Sequence, residues 1–218
     1  MRVPLELNDR LFALVYPRIM ARSENAGQRE TRRELVGEAQ GRTLELGAGS
    51  GLNLPHYTSQ VDELFVSEPS PHMMRHLREL LDADPPAVGS WKLLEAGAEQ
   101  IPFEDQRFDT VVATFVFCTI PDPAQALIEV ARVLRPGGRF LFLEHVRAED
   151  GTGLGRLQDL AELPHRFFAG GCHPNRRTGE LIAASPLEVE RLDHGTMPRG
   201  EPLVKPTIIG SARRGGTP

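Results

Sequence analysis

Lysine is almost missing from this sequence: Lys92 and Lys205 are the only two, arginine carries the remaining positive charge, and the formal net charge is −5. Without a basic surplus there is no electrostatic footprint for nucleic acid. Cysteine is as scarce. Cys118 and Cys172 cannot build a disulfide framework, no CxxC is present, and no Cys/His cluster has zinc spacing, so no metal is expected. Long apolar runs are missing too. No window reaches the roughly 18 apolar residues of a spanning helix, and the most apolar stretch, residues 111–120, is short and strand-like. The first 25 residues lack the continuous apolar segment of a signal peptide. These absences describe a reduced, soluble, cytoplasmic protein. There is no internal repeat and no low-complexity tract; only the final "RRGGTP" reads as a tail.

What is there suits one large domain: 218 residues, 40% hydrophobic and 25% charged. Leu7, Leu11, Leu14, Val15 and Ile19 form a helical stripe over residues 7–22, with Pro17 kinking or ending it. Residues 26–40 read as a charged helix stopping near Gly41. Residues 1–40 are thus a helical cap, 41–212 a single domain and 213–218 a disordered tail. Short apolar runs at 43–46, 64–67, 91–95, 110–117 and 140–143 predict buried strands.

Helical patterns lie between them. Ser70-Pro71 is a cap and first-turn proline ahead of Met73, Leu77, Leu80 and Leu81 on one face. Asp122-Pro123 starts a second helix, with Ala124, Leu127, Ile128, Ala131 and Leu134 as its buried stripe. That helix should stop at "RPGG", Arg135 closing its last turn and Gly137 and Gly138 allowing a left-handed exit. Residues 152–168 predict a helix broken near Pro164. "GGCHPNRRTGELIAAS" reads as a loop entering another helix, and "PLEVERLDHG" and "LVKPTIIGSARR" as two terminal strands. Strand alternating with helix implies right-handed crossovers and an open, mostly parallel α/β sheet. A ligand then sits at the carboxyl ends of the strands.

The strand at 43–46 runs into "LELGAGSGLNL", with Gly47, Gly49 and Gly51 at alternate positions. A dinucleotide turn has GxGxxG spacing, and Leu52 stands where its third glycine would fall. Glu68, nineteen residues after Gly49, closes the second strand in "VSEPS". A carboxylate there can accept from both ribose hydroxyls. Glycines and Glu68 together indicate a nucleoside-containing ligand, and do not separate a nicotinamide cofactor from other nucleosides.

"LELGAGSG", the acid of "VSEPS", "AEQIPF", "RFDTVVA" and "RVLRPGG", in that order over residues 40–146, resemble the class I S-adenosylmethionine-dependent methyltransferases, specifically their small-molecule (type 11) branch. The resemblance implies a Rossmann-like, doubly wound, seven-stranded sheet whose last strand is antiparallel. It implies S-adenosylmethionine as methyl donor and S-adenosylhomocysteine as product. It places Glu45, Gly47 and Gly49 around the methionine tail, with Glu45 balancing the ammonium. Asn53 either touches the same tail or merely begins a helix. Glu68 would hold the ribose, and Pro69 and Met73 would flank the adenine. Ala98 and Glu99 would meet the adenine edge, although Gly97 stands where many relatives carry aspartate. Thr114 and Phe115 would lie beneath the transferable methyl.

A narrower resemblance, carried by "FVFCTIPD", "FLEHVRAE", "RFFAGGCHPNRRT" and "LVKPTIIGSA", is to the alkyl thiol S-methyltransferases. Those are membrane-associated through an N-terminal hydrophobic segment, which is not expected here. A looser likeness is to phosphatidylethanolamine and ubiquinone-pathway methyltransferases. A thiol reacts as thiolate and needs only modest activation, whereas an alcohol needs a genuine base and an ammonium must first lose its proton. His145 and His173 are the candidates for catalytic assistance, with His165 behind them. Cys172 reads as a small buried side chain beside the pocket, and Arg176 as a steering charge for an anionic acceptor or a local ion pair. Phe115, Phe117, Phe167 and Phe168, with Tyr16 closing over them, could wall an apolar chamber. The expected acceptor is therefore a small molecule, best a thiol. The alternatives are N- or O-methylation of a lipid headgroup, quinone or secondary metabolite, or a non-catalytic cofactor-binding module. No nucleic-acid partner and no integral membrane segment are expected, though peripheral membrane contact is compatible with the N-terminal stripe.

Overall fold

The computed structural model describes residues 20–216. The stripe expected over residues 7–22, and Tyr16 with it, falls almost wholly outside the described residues. A π-helical turn, Glu24–Gln28, leads into α1 (Arg29–Val36). There follow β1 (Gly41–Leu46), β2 (Val61–Ser67), α2 (Pro71–Ala83), β3 (Ser90–Leu94) and β4 (Phe108–Thr114). The second half holds α3 (Pro123–Val133), β5 (Leu134–His145), α4 (Gly153–Phe168), α5 (Thr178–Ala183), β6 (Leu187–Thr196) and β7 (Pro206–Arg214).

The seven strands form one sheet in the order β3-β2-β1-β4-β5-β7-β6. β7 runs antiparallel to both neighbours and the other pairings are parallel. This is the doubly wound sheet expected, with the antiparallel strand last in the chain. The strand order reverses between β1 and β4, so the crevice outside their carboxyl ends is the topological place for a ligand. Alternation along the strands separates two cores. Leu44, Leu46, Val111, Ala113, Phe140 and Phe142 face α3 and α5, while Leu64, Val66, Val112, Leu141 and Leu143 face α1 and α2.

Local chemistry explains most boundaries. The Ser70 hydroxyl accepts from Met73 N–H and the Asp122 carboxylate from Gln125 N–H, each ahead of a first-turn proline. Thr152 caps α4 in the same way through Gly155 N–H. Several details differ from the sequence reading. α3 is rotated: Ala126, Leu127, Val130, Ala131 and Val133 are buried, and Ala124 and Ile128 are exposed. Leu134 already belongs to β5, and Arg135, outside the helix, pairs with Asp109. Residues 135–138 form a bulge against β4, which lengthens β5 well beyond the expected 140–143. α4 continues through Pro164 instead of breaking there. β4 stops at Thr114, because Phe115 takes a left-handed φ of 57° and turns the chain. β7 runs through Arg213 and Arg214, so the expected domain end at residue 212 falls inside a strand.

Candidate active site

The glycine turn after β1 opens onto a pocket lined by Arg32, Gly47, Ala48, Gly49, Ser50, Leu52, Asn53, Thr114 and Phe115. Gly47 and Gly49 both adopt left-handed φ, 59° and 55°. Their surroundings differ. A Cβ on Gly47 would stand 2.8 Å from Val116 Cγ1, whereas above Gly49 the nearest atom is 3.9 Å away. Gly47 is therefore required by packing, and Gly49 leaves its backbone open to a ligand.

A buried polar chain forms the pocket's back wall. Asn53 Nδ2 donates to Glu45 Oε1 at 2.9 Å and to Thr114 Oγ1 at 3.1 Å. Arg32 Nη1 donates to Asn53 Oδ1 at 2.6 Å and to Thr114 Oγ1 at 2.7 Å. Its Nη2 pairs with Glu24 Oε1 at 3.0 Å, and its guanidinium lies 5.6 Å from the centre of the Phe115 ring. An arginine only 2% exposed is tolerable because this pairing offsets its desolvation. Asn53 sits where a cap of the short 3₁₀ turn Leu54–His56 would sit, but makes no cap hydrogen bond. Its side chain serves the pocket.

Burial pushes the Glu45 carboxyl up to about 7, although the Tyr57 hydroxyl, Asn53 and Arg32 all favour its ionised form. Among the described residues Glu45 Oε2, Ser50 Oγ and Tyr57 Oη are buried with no partner within hydrogen-bond distance. Sequence reasoning missed Arg32, Glu24 and Tyr57. For Arg32 a signal exists: it shares helical spacing with the buried Leu35, Val36 and Ala39, which marks the inward face of an otherwise charged segment.

Glu68 bridges two elements. Its Oε2 accepts from Gly49 N–H and its Oε1 from Ser70 N–H, both at 2.9 Å, tying the glycine turn to the start of α2. Pro69 beside it is exposed and Met73 is buried on α2. Ala98 and Glu99 follow β3, the neighbour of β2; Ala98 is buried, and Glu99 Oε1 accepts from Asp122 N–H at 3.5 Å.

The other predicted residues gather beyond the ends of β4 and β5. Glu144 is fully buried, with Oε1 accepting from Val116 and Phe117 N–H at 2.9 and 3.1 Å; burial pushes its carboxyl up to about 7. His145 Nε2 lies 3.1 Å from Cys172 Sγ. The Cys172 sulfur and burial push the Cys118 thiol well above its usual range. His173 Nδ1 meets Glu162 Oε1 at 2.9 Å, and burial followed by the Arg176 charge lowers its pKa, so the ring is neutral at pH 7. Arg176 Nη1 donates to Phe117 and Ile120 carbonyls at 2.5 and 2.6 Å, which makes it a tie for the loop after β4. The aromatic chamber does not assemble as expected. Phe117 packs against Phe140 in the core, while Phe167 and Phe168 meet edge to face on the outer surface of α4.

Comparison with known proteins agrees with this architecture. A methyltransferase domain family matches residues 44–142. The chain belongs to the class I S-adenosylmethionine-dependent methyltransferases and is a small-molecule methyltransferase. It is 30% identical to the human thiol S-methyltransferase TMT1A over 169 residues, covering 78% of this chain and 69% of that protein. It is 34% identical to the phosphatidylethanolamine N-methyltransferase of Cereibacter sphaeroides over 149 residues, 68% and 71% of the two chains. A SAM-dependent methyltransferase of Thermotoga maritima superimposes with a TM-score of 0.67 at 18% identity, over 96% of this chain and 99% of that one. Among the described residues no helix is long and apolar enough to cross a membrane.

Proposed function

We propose that this methyltransferase acts on a small thiol, converting it to a methyl thioether. The observation that carries the reading is the 30% identity to a thiol S-methyltransferase across 78% of the chain. The site's chemistry supports it: the carboxylate and imidazole at the end of β5, Glu144 and His145, are buried away from an acceptor. A thiol, with an ordinary pKa of about 8.5, asks for little help.

S-adenosylmethionine fits the residues present, and when bound it supplies a methyl group on a sulfonium for in-line displacement. Glu45, with one buried oxygen unpartnered, would take the ammonium of the methionine tail, and Arg32 its carboxylate. Gly49 would let that tail approach the backbone. Asn53 and Thr114 hold Glu45 and Arg32 in place, and Phe115 lines the same pocket. Glu68, at the tip of β2 and tied to the glycine turn through Gly49 N–H, would hold the ribose. Pro69, Met73, Ala98 and Glu99 would frame the adenine.

On the acceptor side His173 is the better base. Its ring is partly accessible, neutral, and oriented by Glu162. The acceptor's S–H proton would pass to Nε2 of His173 as the S–CH3 bond forms. His145 is sealed, 3% exposed, and is assigned no proton transfer.

Thermal melting tests the cofactor assignment. S-adenosylmethionine and S-adenosylhomocysteine should raise the melting temperature and NAD should not. Glu68→Ala should lose most of that ligand shift while still melting cooperatively. An undiminished shift in the variant would remove Glu68 from the site.

A further inference from the structure

Three donor atoms converge in the interior on side chains given no part above in cofactor binding or proton transfer, beside the loop that carries His173. Cys118 Sγ, His145 Nε2 and Cys172 Sγ lie within 4.8 Å of one another. The residues are 3%, 3% and 7% exposed. They are far apart in sequence: Cys118 in the loop after β4, His145 closing β5, and Cys172 in the turn after α4. Hydrogen bonds fix the three carriers. His173 N–H donates to the Cys118 carbonyl, Glu144 of β5 accepts from Val116 and Phe117 N–H, and Arg147 N–H donates to the Arg176 carbonyl, so the loops bearing both thiols are held to each other and against the end of β5.

We propose that Cys118, His145 and Cys172 form a binding site for a soft divalent cation of the zinc class. Two sulfurs and an imidazole nitrogen are donors that zinc takes. With Zn–S near 2.3 Å and Zn–N near 2.0–2.1 Å, a tetrahedron sets its donors roughly 3.5–3.8 Å apart. The observed cluster reaches that spacing with shifts of about 1 Å or less. The ring nitrogen that faces the Cys172 sulfur is Nε2, and Nδ1 has no hydrogen-bond partner among the described residues. The neutral tautomer with its proton on Nδ1 is the one that would present the Nε2 lone pair to the ion. Binding releases both thiol protons, and two thiolates with one dication leave no net charge, which suits a dry interior. The nearby cation Arg176 is directed to the Phe117 and Ile120 carbonyls. Three protein donors leave the fourth position for water or an outside sulfur ligand. The proposal does not depend on which acceptor the enzyme methylates.

Cobalt(II) added to the reduced full-length protein is the direct test. One equivalent should give a thiolate-to-cobalt charge-transfer band with intense tetrahedral d–d bands, release two protons, and be displaced by zinc. Cys118→Ser and Cys172→Ser should each weaken zinc binding by about 100-fold or more, since even outer-shell changes cost 10–100-fold. The wild-type spectrum decides the matter even if a variant fails to fold. A weak octahedral spectrum without the charge-transfer band, or a band that survives in either folded serine variant, would overturn the site. So would a wild-type protein that takes up no metal and instead closes a Cys118–Cys172 disulfide on mild oxidation.

Discussion

At the scale of single residues, the site is set by groups whose burial shifts their acidity. Glu45 and Glu144 each rise from 4.5 to about 7 through burial. A raised carboxyl pKa means that the folded protein holds protons the unfolded chain has lost. Their contribution to stability is therefore complete below pH 4.5 and is lost as pH rises through 7. Cofactor binding should run the other way, because the proposed ammonium partner needs Glu45 ionised. Titration calorimetry should find S-adenosylmethionine affinity climbing between pH 6 and 8, with proton release at pH 6, and Glu45→Gln should flatten that rise. Affinity independent of pH in the unaltered protein would take Glu45 out of the tail site. His173 gives a second profile. His173→Gln should cut turnover at pH 7 by roughly 10- to 30-fold, the factor by which an unassisted thiol of pKa about 8.5 is under-ionised. The loss should disappear above pH 9; a uniform loss across pH would indicate a structural role.

At the scale of elements, the β1 turn separates fold from ligand within three residues. Gly47→Ala adds a clash with Val116 to the left-handed strain, and should destabilise the protein by about 2–3 kcal/mol. Gly49→Ala adds strain alone, about 1–2 kcal/mol, and points its methyl group into open pocket. Denaturant melts and cofactor titrations should show Gly47→Ala mainly as a stability loss and Gly49→Ala mainly as a binding loss; the reverse pattern would misplace the ligand. This turn was legible because its signal is local: three glycines, a strand before them and an acid at the next strand's tip. The caps at Ser70 and Asp122 were legible for the same reason. The rotation of α3 was not, since Leu127, Ala131 and either Ile128 or Val130 make equally regular stripes, and tertiary packing chose between them. Nor was the end of β4, where an apolar run continues through Phe117 while the left-handed Phe115 and the distant Glu144 carboxylate, capturing Val116 and Phe117 N–H, make the turn.

At the scale of the whole molecule, the glycine turn and Glu68 come from short local motifs, while other buried polar groups are brought together from distant parts of the chain. Arg32 reaches the pocket from a helix before the sheet begins, and His145 meets Cys172 across 27 positions. Cys/His spacing along the chain could not announce a cluster built in this way. Gln158 shows the same principle: fully buried on α4, it hydrogen-bonds Ala148, Val146, Pro174 and Leu203, drawing three separate stretches together. The two curated likenesses differ in the atom that their names say is methylated, sulfur in one and nitrogen in the other. One experiment asks this chain directly. The purified protein is given S-adenosylmethionine and a small aminothiol that offers both nucleophiles, and fragmentation mass spectrometry locates the methyl group. The thioether product, absent with Glu68→Ala, is the expected result. Methyl found on nitrogen, or none transferred to either atom, would contradict the assignment of a thiol acceptor.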